Sequence, residues 1–307
     1  MERIYDMIII GGGPGGCTAA LYAARAGLSV LLIEKLSAGG QMALTEQIDN
    51  YPGFPEGVDG FSLGERMQQQ AERFGAKFEL AEVERLDLAA DPKVVVSSEG
   101  TFLARTVVLS TGAKARELGV AGESALVGRG VAYCAACDGM FFRGKTVAVV
   151  GGGNSAAADA LLLSRVAKKV YLIHRRDTLR ATKVYHEPLM KAENVEFCWN
   201  STVAELLQDG GLTGLRLRDN KTGEVRELAL DGLFVSVGRM PETALAAGQI
   251  ELDPQGYVVA GEDTRTNLDG VYAVGDVRTK ALRQVVTAVA DGAAAVHSAE
   301  EYLAERG

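Results

Sequence analysis

Two stretches of this chain repeat one design, and together they leave few folds open. Near the N-terminus, YDMIIIGGGPGGCTAALYAARAG runs from an apolar strand through Gly11, Gly13 and Gly16 into an alanine-rich helix. At residues 145–181, KTVAVVGGGNSAAADALLLSRVAKKVYLIHRRDTLRA does so again, with Gly151 and Gly153 in the turn and Ala156 in place of the third glycine. Glycines alone say little, but between a buried strand and a helix they form a dinucleotide fingerprint. The first makes the tight turn, the second lets a pyrophosphate approach the backbone, and the third lets the helix close on the strand, with the anion at the helix N-terminus. Pro14 and Gly15 in the first copy, and Asn154 and Ser155 in the second, enter the helix and belong to the same expected sites.

The copies differ where the second strand of each ends. In the first, SVLLIEK delivers Glu34, 23 residues after Gly11, and an acid there suits a free ribose diol and repels a 2′-phosphate. In the second, the position 23 residues after Gly151 is His174, followed by Arg175, Arg176 and then Arg180. Guanidinium forks at that place suit a 2′-phosphate, so NADPH is expected in the second site and a different dinucleotide in the first. The plainer reading of the arginines, a solvated helix start, loses force because the fingerprint precedes them at the right spacing.

Each copy closes with a buried strand ending in glycine, VVLSTGA at 107–113 and GLFVSVG at 232–238. LDGVYAVGDV then predicts a further strand ending at Gly275 and Asp276, and RQVVTAVADGAAAVHSAEEYLAE a long helix. The predicted fold class is α/β, with two Rossmann-like dinucleotide-binding domains, the second inserted into the first. The first domain is expected at 1–113 and 244–307 and the second at 114–243, joined by short strands near 114–119 and 238–243 that act as a hinge. A length of 307 residues accommodates two such cores, and 47% hydrophobic with 23% charged residues fits a soluble α/β chain. The net charge of −8 argues against nucleic acid and anionic membranes as partners. The apolar run MIII is too short for a signal peptide or a membrane span, so a cytoplasmic location is expected.

Four cysteines make no secreted disulfide framework, and Cys17 and Cys198 are isolated and expected to pack. Cys134 and Cys137, in YCAACDG, are close neighbours with Asp138 directly after. A structural zinc needs four ligands, and His174, His186 and His297 lie on other predicted elements, so no metal is expected. A turn followed by Asp138 and glycine is also a poor place for two merely packing thiols. Redox use remains: one thiolate attacks a substrate disulfide, the other resolves the mixed disulfide, and Asp138 supplies a proton. A hydride donor and a dithiol need a carrier that serves both, which points to a flavin in the first site.

The chain resembles the low-molecular-weight thioredoxin reductases over nearly its whole length. The matching motifs are GGGPGG, GGQM at 39–42, DNYPGF at 49–54, GRGVAYCAACDG, GGGNSAAADA, HRRDTLRA and VGDVRTKALRQVVTA. The resemblance implies FAD and NADPH as cofactors and thioredoxin as partner. It assigns Cys137 to the flavin, Cys134 to interchange with the partner and Asp138 to acid catalysis. Around FAD it implies Lys35, Gly40, Gln41, Asn50, Val83, Thr111, Gly112, Gly275, Asp276, Arg283, Gln284 and Val285, and it adds Gly238 to the NADPH set. It further implies a homodimer, a rotation of the inserted domain, and thioredoxin docking near Arg129, Met140 and Phe141. The sequence departs from the family at Ala158, where an acid is common and Asp159 follows instead, at Met140, and in TKVYHEPLM at 182–190. Three other readings stay open: another dithiol partner, another electron donor as in a ferredoxin-fed reductase or thiol oxidase, and a nucleotide sensor without turnover.

Overall fold

Runs of valine, leucine and isoleucine form the inner strands, and helices rich in small residues cover them. The structure, a computed structural model, describes residues 3–45 and 47–306. From the N-terminus come β1 (Ile4–Ile10), α1 (Pro14–Arg25), β2 (Val30–Glu34), α2 (Gly60–Glu72), β3 (Lys77–Leu80), β4 (Val83–Asp87), β5 (Lys93–Ser97) and β6 (Gly100–Leu109). β1 lies between β2 and β6, parallel to both, with Ile9 opposite Leu32 and Val108. Ile8, Ile10, Leu31, Ile33, Val107 and Leu109 share one apolar layer, while Met7, Ile9, Leu32 and Val108 meet Ala19, Ala20 and Ala23 in another. Side chains alternate along a strand, so a strand covered on both faces reads as an unbroken apolar run such as MIII.

The chain continues through β7 (Ala113–Ala115), β8 (Val131–Ala132), α3 (Ala135–Asp138), β9 (Thr146–Val150), α4 (Asn154–Ser164), β10 (Lys169–Ile173), α5 (His186–Lys191) and β11 (Val195–Cys198). β12 (Ser201–Gln208), β13 (Leu212–Asp219), β14 (Val225–Ala229), β15 (Gly232–Val235) and β16 (Arg239–Pro241) follow, then β17 (Val271–Ala273) and α6 (Val285–Arg306). A parallel sheet of order β11-β10-β9-β15-β8 forms, with β12, β13 and β14 as a separate antiparallel sheet. β17 returns to the first sheet and pairs with the C-terminal part of β6, Val271 opposite Val107. Small residues let α6 lie close on α1: a β-carbon on Gly292 would fall 2.3 Å from the Gly15 carbonyl oxygen.

The chain separates into two compact units, one running through Lys114 and resuming at Met240, the other Ala115–Arg239. The two crossings, β7 and β16, pair with each other. Residues 1 and 307, the ends of the expected first domain, lie outside the described residues. The crossing strands, Ala113–Ala115 and Arg239–Pro241, are shorter than the sequence suggests, and Gly119 and Gly238, each at one end of its expected stretch, adopt positive φ, 77° and 118°. The strand predicted to reach Asp276 stops at Ala273, since Gly275 turns at φ 73° into a short 3-10 segment. Among the described residues, no helix is long and apolar enough to cross a membrane.

Candidate active site

In the first unit, Gly11 turns at φ 102°, and a β-carbon there would lie 2.4 Å from the Ser110 carbonyl oxygen. One on Gly16 would lie 2.0 Å from the Gly11 carbonyl, so strand, turn and helix close only with glycine at both places. Gly13, the N-cap of α1, has open space where its side chain would be, and the amides of Gly15 and Gly16 start the helix without intrahelical acceptors. The Glu34 carboxylate accepts from the Gly12 amide at 2.7 Å and from Leu36 at 3.0 Å, which fixes it beside the turn. An open approach to a helix N-terminus with an acid at the strand end fits a dinucleotide that carries a free ribose.

Some of the other residues expected here border this turn, and others bond or pack with one another nearby in the same unit. A β-carbon on Gly40 would lie 3.4 Å from Gly13 Cα, so the 3-10 turn Gly40–Leu44, which holds Gln41, borders it. Asn50 Nδ2 donates to Gln284 Oε1 at 3.0 Å, across 234 residues of sequence. Val285 packs with Met42, Ile48, Val58 and Leu63, which ties the start of α6 to the same loops. The Thr111 amide would lie 3.2 Å from a β-carbon on Gly11, and Gly112 accepts from the Glu242 amide. Arg283 donates to the Asp276 carbonyl and lies over the Tyr257 ring at 3.9 Å. Val83 stands just beyond Ala81, whose amide bonds the Glu34 carbonyl, and packs into the core. Lys35 is exposed.

Beneath the Gly275 turn lies a charged cluster that the sequence did not disclose. Asp291 on α6 accepts from the Gly275 amide at 2.8 Å, from Arg278 at 3.0 and 2.9 Å, and from Lys280 at 2.7 Å. All three side chains are buried. Burial pushes the Asp291 carboxyl up, but the hydrogen bonds and charges of Arg278 and Lys280 outweigh it and hold the group below its ordinary range.

In the second unit, Gly151 turns at φ 153°, and a β-carbon there would lie 2.4 Å from the Ser236 carbonyl oxygen. Gly153, the N-cap of α4, again faces open space, and Ala156 is buried. The amides of Arg180 and Ala181 both bond the Gly152 carbonyl, and Asn154 Oδ1 accepts from the Thr182 amide. This folds residues 180–182 over the turn, beside an open cavity of about 340 Å³ whose lining includes Gly153, Asn154, Ser155, Arg180, Ser236 and Gly238. Arg175, Arg176 and Arg180 are all exposed, the first two in a bend and Arg180 in irregular chain, none of them in a helix.

His174 stands elsewhere than its counterpart in the first copy. It is 4% exposed, and its ring occupies the room beside Gly152, where a β-carbon would lie 2.2 Å from Cε1. Its Nε2 has no hydrogen-bond partner among the described residues. Burial lowers the pKa of the ring, and the charges of Arg180, Arg175 and Arg176 lower it further. A buried ring nitrogen lacking a partner, next to three exposed guanidinium groups, fits a phosphorylated ribose.

Cys134 and Cys137 are joined as a disulfide with Cα atoms 5.3 Å apart. Cys134 caps the single turn of α3, and its sulfur accepts from the Cys137 amide at 3.2 Å. Ala135 is buried, and Gly139 sits so close to α4 that a β-carbon would meet Leu163 at 3.2 Å, which seats the redox turn on the second unit's own core. Burial pushes the Asp138 carboxyl up to about 6. Upstream, the buried Glu123 accepts from the Leu118 and Gly119 amides and from the Tyr133 hydroxyl at 2.8 Å, another anchor that no sequence pattern announced. Cys17 and Cys198 are buried, and burial pushes the Cys17 thiol up to about 12.

A family model described as pyridine nucleotide-disulphide oxidoreductase matches residues 5–292. The thioredoxin reductase of Streptomyces clavuligerus is 48% identical over 99% of this chain and 95% of its own, and that of Mycolicibacterium smegmatis is 46% identical over 99% and 98%. Among solved structures, the Streptococcus pyogenes thioredoxin reductase superposes with a TM-score of 0.91 at 41% identity, covering 99% of this chain and all of its own. The Giardia duodenalis thioredoxin reductase gives 0.90 at 36% identity with the same coverage. Two fingerprint turns, the disulfide between them in sequence, and this likeness along the whole chain place the protein in the pyridine nucleotide-disulphide oxidoreductase family, among the thioredoxin reductases.

Proposed function

We propose that this protein uses NADPH to reduce the disulfide of thioredoxin by way of FAD and the Cys134–Cys137 pair. The observation that carries the reading is the disulfide itself, in a partly exposed turn that also holds an acid of raised pKa. FAD, when bound, takes a hydride from NADPH and passes the electron pair to a disulfide. The residues that hold it are Gly11, Gly13, Gly16 and Glu34 with the loops around Gln41, Asn50, Asp276 and Arg283. Gly151, Gly153, Arg175, Arg176 and Arg180 hold NADPH.

The chain's own sulfur chemistry then balances in two exchanges. With the pair reduced, the Cys134 thiolate attacks one sulfur of the partner's disulfide, which breaks that bond and forms a mixed disulfide. Cys137 attacks Cys134 Sγ, the mixed disulfide breaks, and the partner leaves as a dithiol. Asp138, held protonated further up the pH scale than an ordinary aspartate, supplies a proton to a departing sulfur. On this reading thioredoxin docks near Arg129, Met140 and Phe141, the last two being 50% and 47% exposed. The resemblance extends the reading to a homodimer, and a cytoplasmic location goes with it.

Anaerobic titration of the FAD-loaded protein tests it. NADPH is expected to bleach the flavin absorption and oxidised thioredoxin to restore it. A flavin that NADPH leaves oxidised would overturn the assignment of the donor, and one that thioredoxin leaves reduced would overturn the partner.

A further inference from the structure

We propose that Asp159 and Ser236 form a positioning pair that holds the nicotinamide riboside half of the pyridine nucleotide through a hydrogen-bond donor on that half. The inference rests on the NADPH reading of the second unit and deepens it.

β9 stands between β10 and β15, and the chain passes from β9 through α4 to β10 on one side only. The crevice at the C-terminal end of β9 is thus a topological switch point, where a dinucleotide lies across the sheet with its pyrophosphate at the helix N-terminus. His174, Arg175 and Arg176 follow β10, so the phosphorylated adenylate half belongs on that side. The other half must extend over the end of β15, where Ser236 and Gly238 line the cavity.

Ser236 is built to accept there. Its amide is taken by the Val150 carbonyl at 2.8 Å, and its hydroxyl donates to Asp159 Oδ2. Asp159 is on α4, 77 residues away in sequence; burial pushes its carboxyl above the ordinary aspartate range, while the Ser236 hydrogen bond and the charge of Arg239 pull the other way and favour the carboxylate. With its proton committed to a carboxylate, the serine oxygen offers only lone pairs to the cavity, and the charged partner strengthens them as acceptors. The complementary groups on the nicotinamide riboside half are the carboxamide NH2 and the ribose hydroxyls. Through this hydrogen bond the Asp159 carboxylate acts on the ligand by way of the serine oxygen.

The test compares two ligands by calorimetry on the FAD-loaded protein: NADP+, and 2′,5′-ADP, which keeps the phosphorylated adenylate but lacks the other half. For Ser236→Ala, NADP+ binding is expected to weaken roughly tenfold, the scale of one hydrogen bond, with 2′,5′-ADP affinity unchanged within about twofold. Asp159→Asn, which keeps the shape and removes the charge, is expected to show the same selective loss at smaller size, and Ser236→Thr, which keeps the hydroxyl, to restore binding. Unchanged NADP+ affinity in Ser236→Ala would overturn the pair's role. An equal loss for both ligands would show a merely structural serine and overturn it as well. If the unaltered protein binds neither ligand, the NADPH reading fails and takes this inference with it, an outcome distinct from failure of the pair alone.

Discussion

The amide of Cys137 donates to the sulfur of Cys134 at 3.2 Å, so the residue that opens the redox turn receives a hydrogen bond from its own partner cysteine. A donor in that place favours thiolate over thiol once the disulfide is reduced. Cys134 is thereby prepared as the nucleophile, and the two cysteines are expected to fail differently. Both Cys134→Ser and Cys137→Ser should lower thioredoxin turnover by at least about a thousandfold, as happens when one member of a cooperating unit is lost. Only Cys137→Ser should trap a covalent complex with thioredoxin, visible on a non-reducing gel, because Cys134 then attacks and nothing resolves the adduct.

Asp138 gives the reaction a pH dependence of known sign. Burial penalises its charged form and raises its pKa from 3.8 to about 6, so the proton to be donated is present below that value and lost above it. Rapid-mixing measurements of exchange between the reduced protein and thioredoxin should show a limb that falls through pH 6 and is missing in Asp138→Asn. The folded state binds this proton more tightly than the unfolded chain, so its contribution to stability declines as pH rises from 4 to 6 and is constant beyond. The gap in unfolding midpoint between the native protein and Asp138→Asn should follow that curve.

Replacing Arg175 and Arg176 together by alanine removes two exposed forks beside the second turn. Each charge-assisted hydrogen bond is worth about 1.5–3 kcal/mol, so KM for NADPH should rise at least tenfold. KM for NADH, which has no 2′-phosphate, should stay within about threefold in steady-state assays.

The strand, glycine turn and helix of both sites were legible because each rests on local chemistry: an apolar run, a residue free to take positive φ, and small residues for close packing. The contrast between Glu34 and His174 was legible as spacing, since each stands 23 residues after the first glycine of its turn, Glu34 as the last residue of β2 and His174 directly after β10. What the histidine does with its side chain was not. Glu34 turns back to a backbone amide, whereas the His174 ring is buried and leaves exposure to Arg175 and Arg176. The polar contacts of Asp159 with Ser236, Glu123 with Tyr133 and Asp291 with Arg278 were hidden for one physical reason. Each joins single polar residues on different elements, a pairing that only tertiary packing creates and that leaves no period in the sequence.

The Asp291 cluster yields a stability prediction. Asp291→Ala strips the counter-charge from two buried cations and the acceptor from the Gly275 amide. Breaking a buried pair in this way costs about 3–5 kcal/mol, to be read from denaturant unfolding. Because the carboxyl is held below its ordinary 3.8, the stabilisation should be present above that pH and fade as the solution is acidified past it.

Gly152 and His174 behave as one choice written at two positions. A single methyl on the glycine would strike the imidazole at 2.2 Å, so Gly152 is not free to change while His174 stays. In the first copy the corresponding clearance, from a β-carbon on Gly12 to Glu34 Cβ, is 3.2 Å, and the two residues are joined by a hydrogen bond instead. Descendants of this sequence should therefore show tight covariation at the second pair and looser, chemically conservative change at the first. The two halves of the duplication would then be told apart by how they mutate as well as by what they bind.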